Sequence, residues 1–119
     1  MKLLGWVGTA KEDLLAFPED VVREMGHALY LAQLGSKHSS AKPLKGFGGA
    51  GVLEIVEGHD GGAYRAVYTA RFTEFVYVLH AFQKKSKSGI ATPHREIEKV
   101  RARLKLAEQE YEKWRSVKK

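Results

Sequence analysis

The chain of 119 residues contains no cysteine. That excludes disulfides, thiol nucleophiles and every zinc site built on sulfur, and it suits a reducing cytoplasm. Long apolar runs are missing too: no window approaches the roughly 18 consecutive apolar residues of a membrane span. The leading Leu3-Leu4-Gly5-Trp6-Val7 run is too short for a signal peptide, and Lys11, Glu12 and Asp13 follow at once. Acidic residues are absent from Gln83 to Arg95, a stretch that carries Lys84, Lys85, Lys87 and Arg95. The expectation is a small cytoplasmic protein with no membrane association.

What is present describes one domain over residues 1–119. Hydrophobic residues make up 44%, twelve residues are aromatic, and the net charge is +6. That is too apolar for a disordered chain and too short for a dinucleotide-binding domain plus a partner domain. The charge is uneven. Residues 1–82 hold eight Lys/Arg against nine acids, whereas residues 83–119 hold twelve against five, a net of +7. A basic C-terminal helix can simply be solvated, but the acid-free segment beside it points toward a polyanion, whose condensed counterions lysine and arginine release.

Leu3–Val7 reads as a short strand. Thr9-Ala10-Lys11-Glu12 matches a capping box and predicts a short helix through Leu14 and Leu15. Phe17-Pro18 interrupts it, and Pro18 is placed as the first residue of a second helix. Val21, Val22, Met25, Ala28, Leu29 and Ala32 recur at helical spacing until Gly35. Ser36–Gly51 reads as a loop with Lys37, Lys42 and Lys45. Three strands follow, Val52–Val56, Ala63–Ala70 and Glu74–Gln83, joined as an antiparallel meander. Thr92 caps and Pro93 begins a final helix, striped by Ile97, Val100, Leu104, Ala107, Tyr111 and Trp114. The order β-α-α-β-β-β-α describes an α+β fold: a mostly antiparallel twisted sheet, an N-terminal helical hairpin and a C-terminal helix, with the helices against one face.

Alternation puts Arg65 in the middle of an otherwise apolar strand, across from Val52–Val56. It either pairs with Glu54 or binds an anion on an open face. The same alternation groups Val76, Val78, His80, Phe82 and Lys84 on one face of the last strand. Lysines crowded at a strand end suit phosphate binding or proton transfer. His27, His38, His59 and His94 show no metal-ligand spacing.

Tyr64-Arg65-Ala66-Val67-Tyr68, Val78-Leu79-His80-Ala81-Phe82-Gln83-Lys84-Lys85, Thr92-Pro93 and the order of elements resemble the RelE/HigB toxin superfamily, in its phage-derived HigB-type branch. The resemblance implies a RelE-like fold and a ribosome-dependent mRNA endoribonuclease. It further implies metal-independent attack by a 2′-hydroxyl, no cofactor, and neutralisation by a cognate antitoxin, expected to be a helix-turn-helix protein. Carried over residue by residue, Arg65 matches the arginine that stabilises charge on phosphorus. Lys84 and Lys85 match the basic pair that protonates the leaving oxygen or holds phosphate. Glu54 and Val56 stand where some members have lysines, so Glu54 or His80 is left as the base. Lys45, Lys87 and Arg95 are expected on the RNA backbone, and Phe82 on a base, since Ile90-Ala91 replaces the family's late aromatic. Two alternatives remain open: a non-catalytic RNA- or ribosome-binding module, and a chain that serves mainly as the partner subunit of a helix-turn-helix antitoxin.

Overall fold

The computed structural model of the protein describes residues 1–49, 51–84 and 92–118. The elements in order are β1 (Leu3–Trp6), α1 (Ala10–Leu15), α2 (Glu19–Gln33), β2 (Ala41–Pro43), β3 (Val52–His59), β4 (Gly62–Thr69), β5 (Phe75–Lys84) and α3 (His94–Lys118). They form one five-stranded sheet in the order β1-β5-β4-β3-β2, antiparallel except for the parallel pair β1–β5. The α+β class and the meander agree with the sequence reading. No helix among the described residues is long and apolar enough to cross a membrane.

The meander hinges on Asp60 and Gly61, whose φ values of 49° and 78° make the two-residue turn that matches strand twist. β3 and β4 then pair in full register from Val52↔Thr69 to His59↔Gly62. Leu53 and Ile55 share one face with Tyr64, Ala66 and Tyr68. There they meet Leu14 of α1 and Val21, Met25, Ala28 and Leu29 of α2. The opposite face carries Val52, Val67, Tyr77 and Leu79, and α3 lies on it through Val100, Leu104, Ala107 and Tyr111. The expectation of helices on one face is therefore corrected. Both faces of the central strands are apolar, and each demands a helical cover; a fully buried Val or Leu contributes about 1.5–3 kcal/mol.

Four local expectations also change. The 36–51 segment is not all loop: Ala41, Lys42 and Pro43 pair with Ile55, Glu54 and Leu53, adding the edge strand β2. Thr9 does not cap α1 with its side chain; its hydroxyl donates to Asp13 Oδ2 at 2.7 Å, leaving the capping box unmade. Pro18 precedes α2, with ψ 148° outside the helical region, and the helix begins at Glu19.

The fourth change reaches the functional residues. Val67 pairs with His80 but Tyr68 pairs with Val78, so Leu79 is an extra residue and β5 bulges. The bulge resets the alternation. Val76, Val78 and Ala81 face α1 and α2, while Tyr77, Leu79 and Phe82 face α3. His80 therefore does not share a face with Val76 and Val78. It turns to α3, where Glu96 and Arg103 hold it.

At the other end of the sheet, Gly5 of β1 lies against Tyr77, and a Cβ there would stand 2.6 Å from the tyrosine ring. That ring stacks on Phe75 at 4.9 Å and cannot retreat freely. Gly5→Ala is expected to cost about 1–3 kcal/mol through overpacking, read as a lower midpoint in urea unfolding with an unchanged slope.

Candidate functional site

Where α3 begins, its packing turns from apolar to polar. Glu54 of β3 and Arg65 of β4 lie beneath it on adjacent strands, their side chains only 4% and 5% exposed. Arg65 Nη1 donates to Glu54 Oε1 at 3.0 Å, and the Thr92 hydroxyl donates to Glu54 Oε2 at 2.6 Å. Arg65 Nη1 also reaches Thr92 Oγ1 at 3.4 Å. Of the two readings left open for Arg65, the ion pair is realised. Both side chains are buried on the α3-facing side of the sheet, and Glu54 also lines a cleft between β2 and α3. Arg65 Nε is buried without a hydrogen-bond partner among the described residues.

Thr92, read from sequence as a helix cap, is thus a ligand of Glu54 instead. The first turn of α3 is served by the Pro93 carbonyl, which accepts from Glu96 N and Ile97 N at 3.0 and 3.1 Å. Nothing in the sequence marked that exchange of roles.

A second polar group lies one strand over. His80 Nε2 is 2.6 Å from Glu96 Oε1, while Arg103 Nη1 reaches His80 Nδ1 at 3.2 Å and the Leu79 carbonyl at 3.0 Å. A guanidinium only donates, so Nδ1 accepts, and the neutral ring carries its proton on Nε2 toward Glu96. Burial pushes the His80 pKa below its ordinary 6.5; the Glu96 hydrogen bond and charge oppose this, and the Arg103 and Lys99 charges add to the lowering. The ring stacks on Phe82 at 5.0 Å, with 21° between the planes.

Beside the Glu54 cluster a cleft of about 290 Å³ opens between β2 and α3. Lys42, Leu44, Lys45, Glu54, Thr92 and Ile97 line it. Lys42 faces Glu54 across the β2–β3 pair, and the Cβ atoms of such pairs lie roughly 4.5–5.5 Å apart. Among the described residues Lys42 forms no ion pair with Glu54, which Arg65 holds instead. The cleft thus joins a carboxylate, a hydroxyl and two ammonium groups at an apolar floor.

The structure brings Glu54, Arg65 and Lys45 to one place. Lys84 ends β5 and by alternation shares the α3-facing side with Phe82, opposite Ala63. Phe82, expected to stack on a base, is packed in the α3-side core instead. Arg95 is exposed on the first turn of α3, 3.9 Å from Glu96 Oε2. Lys85 and Lys87 lie outside the described residues. Sequence reasoning missed Lys42, because a three-residue edge strand leaves no periodic signal. It also missed Glu96 and Arg103, whose polar side chains looked like the solvated side of an amphipathic helix.

A further cluster of possible ligand groups lies between α2 and the sheet edge. Ligand atoms of Glu24, His38 and Glu57 lie within 4.8 Å of one another. Ser40 N donates to His38 Nδ1 at 2.9 Å, so the neutral ring holds its proton on Nε2, aimed at Glu24 Oε1 2.7 Å away. That nitrogen is a donor in a hydrogen bond, by which His38 ties Glu24 of α2 to the stretch before β2.

Fold and site together define a small α+β protein with a cation-rimmed cleft over a buried Glu–Arg pair. The family model described as phage-derived protein Gp49-like (DUF891) matches residues 12–105, and the chain belongs to that family, one associated with RelE-like toxins of toxin–antitoxin systems. No match was found among curated proteins or among solved structures.

Two outcomes follow from the polar clusters. Glu54→Ala should cost about 3–5 kcal/mol because it strands a buried guanidinium, whereas Glu54→Leu combined with Arg65→Met should cost clearly less, as chemical denaturation of the three proteins will show. His80 binds fewer protons folded than unfolded, so its contribution to stability falls as pH drops below about 6.5. His80→Gln should flatten the fall in urea midpoint between pH 7 and pH 5 relative to the native chain.

Proposed function

We propose that the protein is the toxin of a type II toxin–antitoxin system. In this reading it acts in the cytoplasm as a ribosome-dependent mRNA endoribonuclease, and a cognate antitoxin, a helix-turn-helix protein, restrains it. The observation that carries the reading is the placement of Glu54 and Lys42 side by side at one cleft, with Lys45 at its rim. A ribonucleotide offers a vicinal 2′-hydroxyl and 3′-phosphate, and a neighbouring carboxylate and ammonium suit that pair, one as proton acceptor and the other as counter-charge. Membership of a toxin-associated family supports the same reading.

The chemistry is a transesterification. The 2′-oxygen forms a bond to phosphorus, the P–O5′ bond breaks, and a cyclic phosphate and a 5′-hydroxyl result. Glu54 accepts the 2′-hydroxyl proton; Lys84, to which the family resemblance gives the proton for O5′, stands two strands over at the end of β5 and outside the cleft lining, so it takes that role only on RNA that runs from the cleft across the sheet. Lys42 and Lys45 offset the charge that builds on the phosphate oxygens. Arg65 acts from behind, fixing the Glu54 carboxylate through its 3.0 Å contact. Thr92 fixes the other oxygen. Salt is expected to weaken RNA contacts of this kind steeply.

One observation favours a second reading, a non-catalytic ribosome-binding module. Glu54 already accepts from Arg65 and Thr92, and both His80 nitrogens are engaged. Induced expression followed by mapping of mRNA ends separates the two. Breaks within translated codons are expected; arrested translation with intact messages would remove the enzyme reading. Glu54→Gln and Lys84→Ala, expressed at the native level, should each lower cleavage by about 10²–10⁴-fold, the usual worth of a general acid or base. Full cleavage by both variants would overturn the assignment of roles.

A further inference from the structure

The cover over the polar groups of the sheet comes from one short stretch. Glu54 on β3 pairs with Val67 on β4, and Val67 pairs with His80 on β5, so the three stand in line across the sheet. All three turn toward α3. Two strand spacings separate Glu54 from His80, roughly 9–10 Å. Thr92 and Glu96, four residues apart, bridge that span. The Thr92 hydroxyl donates to Glu54 Oε2 at 2.6 Å, and Glu96 Oε1 accepts from His80 Nε2 at 2.6 Å. Beneath them Glu54, Arg65 and His80 are buried.

This stretch is held differently from the rest of the helix. Pro93, His94 and Arg95 are exposed and Ile97 is half-buried, and the fully buried apolar contacts of α3 begin at Val100. The Glu96 and Ile97 amides both donate to the Pro93 carbonyl. Helix ends are the segments that open at the smallest free energy. Opening from Thr92 to Ile97 breaks the two side-chain hydrogen bonds to the sheet and uncovers one half-buried aliphatic side chain. Val100, Leu104, Ala107 and Tyr111 keep the helix on the sheet meanwhile. Arg103 stays on His80 Nδ1 and on the Leu79 carbonyl.

We infer that the Thr92–Ile97 stretch is a gate, shut in this structure, that controls access to Glu54. The inference rests on the reading of Glu54 as the base and adds how that site is regulated. A carboxylate that takes a proton from a 2′-hydroxyl has to meet that hydroxyl. Here Glu54 is 3% exposed, with a donor on each oxygen. Opening withdraws the Thr92 hydroxyl from Oε2, leaves Arg65 on Oε1 and moves back the α3 wall of the cleft. The hydroxyl that fixes the carboxylate thus also shuts it in, and the two effects pull the rate in opposite directions. In a gate the second is the larger. The resting protein is idle, and an RNA that binds only the open form draws the equilibrium toward it by that difference in affinity.

The test compares the native full chain with Thr92→Val, Glu96→Ala and Glu98→Ala. Thr92→Val keeps the branched shape and deletes the donor. Glu98→Ala removes an acid from the same turn whose ion pairs run to His94 and Arg101 and not to the sheet. Access is read by mass spectrometry, as the rate at which a water-soluble carbodiimide and an amine modify Glu54. Thr92→Val and Glu96→Ala are each expected to raise that rate by about tenfold, the worth of a hydrogen bond to a charged group. Glu98→Ala should leave it at the native value. Cleavage of a translated message should rise in the same two variants. Unchanged labelling in both overturns the gate, and so does equal acceleration by Glu98→Ala. Faster labelling with lower cleavage also overturns it, since Thr92 and Glu96 are then positioning residues alone. If a variant fails to fold, hydrogen exchange on the native chain decides. The Glu96 and Ile97 amides should exchange by a local opening that urea does not accelerate. Exchange only together with Leu104 and Ala107, in a urea-dependent opening, would remove the gate. Faster labelling with intact messages for every protein, the native chain included, removes the nuclease and leaves the gate over Glu54 standing.

Discussion

A sheet whose central strands are apolar on both faces cannot stand with a single cover, and the rest of this protein follows from that constraint. β4 presents Ala66 and Tyr68 to α1 and α2, and presents Val67 to α3. α3 closes the second face. Since that face also carries Glu54 and Arg65, closing it buries a carboxylate and a guanidinium together. Their pairing and the Thr92 hydroxyl meet that cost in place of water.

The polar and apolar halves of α3 divide its labour. From Val100 onward the helix rests on Val67, Phe72, Tyr77 and Leu79, and Tyr111 donates to Glu74 from its outer end. At its start it is held by hydrogen bonds, Thr92 just before it on Glu54 and Glu96 on His80, and Arg103 adds one further along, on the Leu79 carbonyl. The apolar half supplies most of the hold. The polar half fixes where the cleft's far wall stands, because Ile97 lies between Thr92 and Val100. Residues that look like surface on a helical wheel here set the geometry of the site.

How much was legible in the sequence follows from the range of each signal. The meander and the stripe of α3 could be read because their signals are local: Asp60-Gly61 for the turn, steps of three and four for the helix. The pair β1–β5 and the edge strand β2 could not: no turn joins β1 to β5, about seventy residues away, and three residues of β2 are too few to show an alternation. The bulge at Leu79 was invisible for another reason. It carries neither glycine nor proline, and only the register with Val67 and Tyr68 reveals it. One extra residue sent His80 to the other face. At the site, the Glu54–Arg65 pair stood as one of two open readings. What decided between them was the second face's cover, which the sequence reading had placed on one side only.

The pairing of β1 with β5 also sets a timetable. Leu3 finds Phe75, and Trp6 finds Val78, about seventy residues later in the chain. A ribosome releasing residues from the N-terminus leaves β1 without its neighbour until β5 has emerged. Contacts of such long sequence separation are slow to close even in the finished chain. α3 comes later still. Until α3 docks, the face that carries Glu54 and Arg65 has no helical cover. The charged pair is thus enclosed only once α3 is in place, and without α3 the sheet is covered on one face alone.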